Sequence, residues 1–161
     1  MAAQSTSLTA FALTAREGRM REPLDILGAQ VLVKLANTDS DGAVAVFDQI
    51  LPAMSGPPLP RHSREDEWFY VLEGEITAVI DGDQTVLKAG GSALVPRGRA
   101  HTIQNFGPEV VQMLVMLIPG EFNQFFEDLS SLNKGLPAPD LVRTERLMKD
   151  YGIELLGPPL S

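Results

Sequence analysis

Two histidines and one glutamate are the residues of this chain that could carry chemistry. His62 and Glu67 lie in the stretch PPLPRHSREDEWFYVLEGE, residues 57–75, and His101 follows the turn Pro96-Arg97-Gly98. The chain has no other histidine. Each alone reads most simply as a solvated or hydrogen-bonded side chain. Their placement says more. Side chains alternate along a strand, so Glu67, Phe69 and Val71 share one face, and Trp68, Tyr70 and Leu72 the other. Both faces are apolar beyond Glu67. A carboxylate that opens such a strand needs a partner, because burying it unpaired is costly. His101 opens another strand, aimed by the turn before it. Two imidazoles and a carboxylate form a facial ligand set with open positions for oxygen, water or substrate.

These residues must be held by short strands. Ile26 to Leu35 alternates β-branched residues and predicts a strand, followed by the turn Asn37 to Gly42. Val44 to Leu51 predicts the next. Pro52 to Pro60 carries four prolines and predicts a stiff, irregular connection. Further strands are predicted at Glu67 to Leu72, Ile76 to Ile80, Gln84 to Lys88, Ser92 to Val95, His101 to Asn105 and Val110 to Ile118. Asp81-Gly82 is a tight-hairpin signal. Strands at this spacing, with turn chemistry between them, predict a sandwich or barrel. On the last strand, Gln112, Leu114 and Met116 share one face and Met113, Val115 and Leu117 the other, and alternation alone does not say which lines the lumen.

After Pro119-Gly120 the period changes. Phe122, Phe125, Phe126, Leu129 and Leu132 fall at helical spacing and predict a helix packed outside the barrel. Gly135 is a fair stop. Asp140 predicts the cap of a second helix, Leu141 to Asp150, ended by Gly152. The chain divides into an N-terminal arm or edge strand over 1–24, a barrel over 25–120 and a helical extension of the same domain over 121–161.

The totals narrow the function. The 161 residues are one domain's worth. Thirteen basic and 21 acidic residues give a net charge of −8, which opposes binding to nucleic acid or to anionic membranes. The most apolar run, Val110 to Ile118, contains Gln112 and is too short to span a bilayer. The first 20 residues lack the basic start of a signal peptide. There are no cysteines, which excludes disulfides and thiol chemistry and fits the reducing cytoplasm expected for this chain.

The motifs resemble those of a single-domain cupin of the cupin_2 type, and within that superfamily the small quercetin dioxygenase-like proteins. Gly90, Pro96, Gly98, His101 and Asn105 complete the pattern G-x5-P-x-G-x2-H-x3-N. His62, Glu67 and Gly74 complete the second half of G-x5-H-x-H-x3-4-E-x6-G. The chain departs from the first half: Pro60 stands where the first histidine belongs, and Met54 where the opening glycine belongs. The resemblance implies an all-β double-stranded β-helix, or jelly-roll, barrel. It implies a divalent transition metal (Fe, Mn, Ni, Co, Cu or Zn) held by His62, Glu67 and His101, with one imidazole missing from the usual set.

Such a metal would act as a Lewis acid on a small apolar or aromatic, oxygen-bearing substrate and hold its enol or enolate. Glu67 would double as general base. Dioxygenation or a related lyase or isomerase step is the implied reaction. Glu65 and Asp66 lie close enough in sequence to fill the missing position, although alternation turns Asp66 away. Arg61 and Arg64 read as solvated residues at the barrel mouth. Phe69 and Asn105 are the candidate substrate contacts, against the simpler readings of core for Phe69 and turn for Asn105. Pro60 favours a second reading, a non-enzymatic cupin that binds a small molecule without metal. A third, proton transfer by a His–Glu pair, lacks a basic cluster for a diphosphate substrate. A homodimer is expected, because the Trp68, Tyr70, Leu72 face is too apolar to leave wet.

Overall fold

The computed structural model of the protein describes residues 8–160. The first seven residues of the predicted arm and Ser161 lie outside the described part. In chain order the strands are β1 (Leu24–Ile26), β2 (Ala29–Leu35), β3 (Ala45–Leu51), β4 (Leu59–His62), β5 (Asp66–Glu73), β6 (Glu75–Ile80), β7 (Asp83–Lys88), β8 (Ser92–Val95), β9 (His101–Gln104) and β10 (Val111–Ile118). Helices α1 (Phe122–Asn133) and α2 (Leu141–Asp150) follow, and β11 (Ile153–Gly157) closes the series.

One sheet has six strands in the order β1-β2-β3-β10-β5-β8. Opposite it lie β7-β6-β9 and the pair β11-β4, joined by a bridge between Arg61 and Ala100. All the strand pairs are antiparallel. This is the all-β jelly-roll architecture expected from the sequence. Its core is filled by the inward residues of both sheets, with Phe47, Val71 and Met113 fully buried and Phe69, Ile76 and Leu117 at 1% exposure. Burying a side chain of this kind stabilises the fold by roughly 1.5–3 kcal/mol. On β10 the buried face is Val111, Met113, Val115 and Leu117, which settles which set lines the lumen.

Three local features differ from the sequence reading. The run Ile26 to Leu35 is broken into β1 and β2, because Leu27 (φ 53) and Gly28 (φ 94) adopt left-handed backbone and turn the chain. The proline-rich connection ends earlier than predicted, at β4, which takes in Pro60 and His62 and pairs with β11. Strand β11 itself has no counterpart in the sequence reading. Residues 8–23 contain no strand. They form an arm tied to β2 by Arg19 N–H donating to the Val33 carbonyl (2.6 Å) and by Lys34 Nζ donating to the carbonyls of Thr14, Ala15 and Glu17.

The helices form where the pattern put them. Asp140 Oδ1 accepts from Arg143 N–H at 3.0 Å and caps α2. Helix α1 turns its aromatic face inward, onto the cavity between the sheets. Phe126 meets Phe47 edge-on at 4.8 Å, and Phe122 lies 5.0 Å from the His62 ring. The helices are tied together by Tyr151, whose hydroxyl donates to Asp128 at 2.7 Å. Its half-buried setting first, and then the Asp128 carboxylate, push the phenol up from 10.0 to about 12. A folded-state value above the unfolded one means that this contact contributes stability below pH 10 and loses it as pH rises through about 12. The difference in tyrosinate absorbance between wild type and Tyr151→Phe is therefore expected to titrate near pH 12; a midpoint near 10 would contradict the contact. The substitution should cost about 1 kcal/mol.

Candidate metal centre

His62, Glu67 and His101 reach one place from three strands. His62 ends β4, Glu67 is the second residue of β5, and His101 opens β9. Each lines the cavity between the sheets. One donor atom from each lies within 4.8 Å of the others. Glu67 Oε2 is 2.9 Å from His101 Nε2 and 3.6 Å from His62 Nε2. His62 and His101 are 7% and 4% exposed. The first contact is a hydrogen bond, and the second is too long to be one.

Burial alone would push the Glu67 carboxyl up. The hydrogen bond from His101 and the charge of the two imidazoles more than offset this and hold it below the ordinary value. Burial likewise pulls His101 down, and Glu67, with help from the Arg99 carbonyl, brings it above the ordinary imidazole value. The two groups are hydrogen-bonded across 2.9 Å. The Arg99 carbonyl can only accept, so it fixes Nδ1 of His101 (3.3 Å away) as a donor. That leaves Nε2 to face Glu67. A divalent cation fits this donor set: two imidazole nitrogens and one carboxylate oxygen converge, and His62 Nε2 has no hydrogen bond to Glu67.

The cavity at this site holds about 110 Å³. Its wall is mostly apolar, from Pro60, Ile103, Val115 and Leu117 in the barrel and from Phe122 and Met148 on the helices. An outer groove of about 480 Å³ shares Ile26, Leu27, Gln49, Pro57, Pro58 and Met148 with it and leads to the surface. Pro60 lines the cavity on the face of His62. Position 60 therefore looks into the site and offers it no donor atom.

The other predicted residues are placed elsewhere. Phe69 is 1% exposed in the core and is not part of the cavity wall. Asn105, also outside the cavity wall, holds a turn: its amide donates to the carbonyls of Pro52 and Glu109 (both 2.8 Å) and accepts from Gly107 N–H at 2.9 Å. Asp66 points outward to Arg97, whose hydrogen bonds bring its carboxyl down to about 2. Arg61 pairs with Glu154 at the surface, in line with the solvated reading. Two residues near the site were missed or misread. Gln49 faces the cavity from β3, and its signal was a polar residue at the inward register between Phe47 and Leu51. Glu65 is 4% exposed beside His62 rather than among the converging donors.

Comparison with known proteins agrees with this fold. Residues 47–117 match the family model described as a cupin domain. The chain is 30% identical over 92 residues to a quercetin 2,3-dioxygenase of Bacillus subtilis (strain 168), which is 55% of this chain and only 27% of that relative's length. Among solved structures, a predicted oxalate decarboxylase from Thermotoga maritima superposes with a TM-score of 0.55 at 25% identity, over 56% of this chain and 80% of that one. An RmlC-like cupin from Shewanella frigidimarina NCIMB 400 superposes with a TM-score of 0.58 at 20% identity, over 72% of this chain and 96% of that one, and bears on the fold alone. Among the described residues, no helix is long and apolar enough to cross a membrane.

Proposed function

We propose that the chain is a single-domain cupin and a metal-dependent enzyme acting on a small apolar or aromatic, oxygen-bearing substrate. The observation that carries the proposal is the convergence of three donor atoms within 4.8 Å at an apolar cavity. His62, Glu67 and His101 would hold the ion, which supplies a Lewis acid and open positions for oxygen or substrate. The apolar wall would select the substrate and exclude water. Glu67, hydrogen-bonded to His101 and facing the cavity, is the group placed to take or return a proton. The likeness to a quercetin 2,3-dioxygenase favours dioxygenation, and that to a predicted oxalate decarboxylase keeps a lyase step in view. Elemental analysis of the purified protein, against a His62→Ala, His101→Ala double variant, tests the proposal. Near-stoichiometric Fe, Mn, Ni, Co, Cu or Zn, lost in the variant, is the expected result. No metal after supplementation would turn the reading to a cupin that holds a small molecule without an ion. Pro60 in the cavity wall favours that second reading.

The proposal includes a homodimer. Trp68 stacks on Tyr70 at 5.8 Å on the outer face of the six-stranded sheet, and Leu94, opposite Trp68 in register, is 58% exposed. An apolar patch of this kind is rarely left wet. Light scattering at micromolar concentration should give twice the chain mass, and Leu94→Arg should give a monomer. A wild-type monomer would count against this part of the proposal.

A further inference from the structure

Glu65 is the buried group that the triad leaves without a role. It lies between β4 and β5 and is 4% exposed. Its Oε2 stands 3.7 Å from Nδ1 of His62, and neither atom has a hydrogen-bond partner. Buried polar atoms are almost always paired. The gap is too narrow for a bridging water and a few tenths of an ångström beyond a direct bond. Each atom is the candidate partner of the other. A carboxylate only accepts, so the proton between the two belongs to the imidazole.

From this geometry we infer that Glu65 accepts the Nδ1 proton of His62 and so holds its Nε2 bare and turned toward Glu67. The Arg99 carbonyl fixes Nδ1 of His101 as a donor in the same way. The two imidazoles are thus oriented from outside the cavity, one by a side chain and one by the backbone. Glu65 is a positioning residue that acts through His62. An acceptor behind a metal-binding imidazole fixes its tautomer and ring orientation, and its loss typically weakens metal binding by about 10–100-fold. With Pro60 offering no donor, His62 is the imidazole that β4 contributes, so its orientation matters more. That consequence rests on the metal reading; the tautomer itself does not.

The test uses the full chain. With two histidines in the protein, long-range 15N–1H NMR at alkaline pH reads each tautomer directly. Wild type and Glu65→Gln, whose amide oxygen still accepts, should show His62 protonated on Nδ1. Glu65→Leu should move it toward the Nε2–H form that free imidazoles prefer. An Nε2–H His62 in wild type, or no change in folded Glu65→Leu, would overturn the assignment. Cobalt titration of the same proteins reads the consequence. Glu65→Leu should bind cobalt about 10–100-fold more weakly than wild type, with Glu65→Gln close to wild type. Equal affinities for wild type and Glu65→Leu would overturn the positioning role. Failure of wild type to bind cobalt, with the Nδ1–H tautomer intact, would overturn the metal reading and leave the Glu65 contact standing.

Discussion

Pro60→His is expected to tighten metal binding by at least about tenfold, or ~1.4 kcal/mol. Residue 60 lies on β4 two positions before His62, and its ring already lines the cavity. Side chains two apart on a strand face the same way. An imidazole there would join those of His62 and His101 and add a fourth donor to the three that converge. The proline ring gives nothing to a cation, and its nitrogen gives nothing to the β4–β11 pair. The substitution therefore removes no donor. Competition with a chelator of known affinity would measure the gain. An unchanged affinity would mean that position 60 does not reach the ion.

Phe47→Ala is expected to cost about 3–5 kcal/mol, the range for emptying a buried aromatic site. The midpoint of thermal unfolding should then fall by roughly 10 °C in a domain of this size. Phe47 is fully buried on β3 and meets the edge of Phe126 at 4.8 Å. Phe126 in turn contacts Phe122, whose ring stands beside His62. The same aromatic set thus holds α1 to the barrel and covers the candidate metal centre. Leu141→Ala, at a residue 73% exposed on α2, is the matched control and should change stability by less than about 0.5 kcal/mol. Equal, small effects at both positions would mean that α1 does not pack on β3 as described.

The site was legible from the motif spacing that His62, Glu67 and His101 share with the family the sequence resembles. Glu67 and His101 open predicted strands, whereas His62 ends β4, where the sequence predicted an irregular connection. Glu65 lies between strands, where alternation gives no direction. Its role comes from the path of the chain through Ser63 and Arg64. Strand β11 was not legible for a different reason. Five residues after Gly152 carry little pattern of their own, and their partner β4 lies about ninety residues earlier, so only tertiary pairing makes them a strand. Leu27 with φ 53 hid the β1–β2 turn, since a leucine rarely marks left-handed backbone. Phe69 and Asn105 carried correct directional information, inward in both cases. Direction alone does not separate a cavity wall from the core behind it or from a turn anchor. The aromatic period of α1 was plain, but its position over the cavity depends on how the chain leaves β10.

Anomalous diffraction from crystals grown with cobalt or nickel tests the central claim most directly. The account predicts one strong peak per chain, enclosed by His62 Nε2, Glu67 Oε2 and His101 Nε2, and lost in His101→Ala. A well-ordered crystal with no peak there, or a peak only at surface carboxylates, would contradict a metal centre and leave the cavity as a binding site for a small molecule alone.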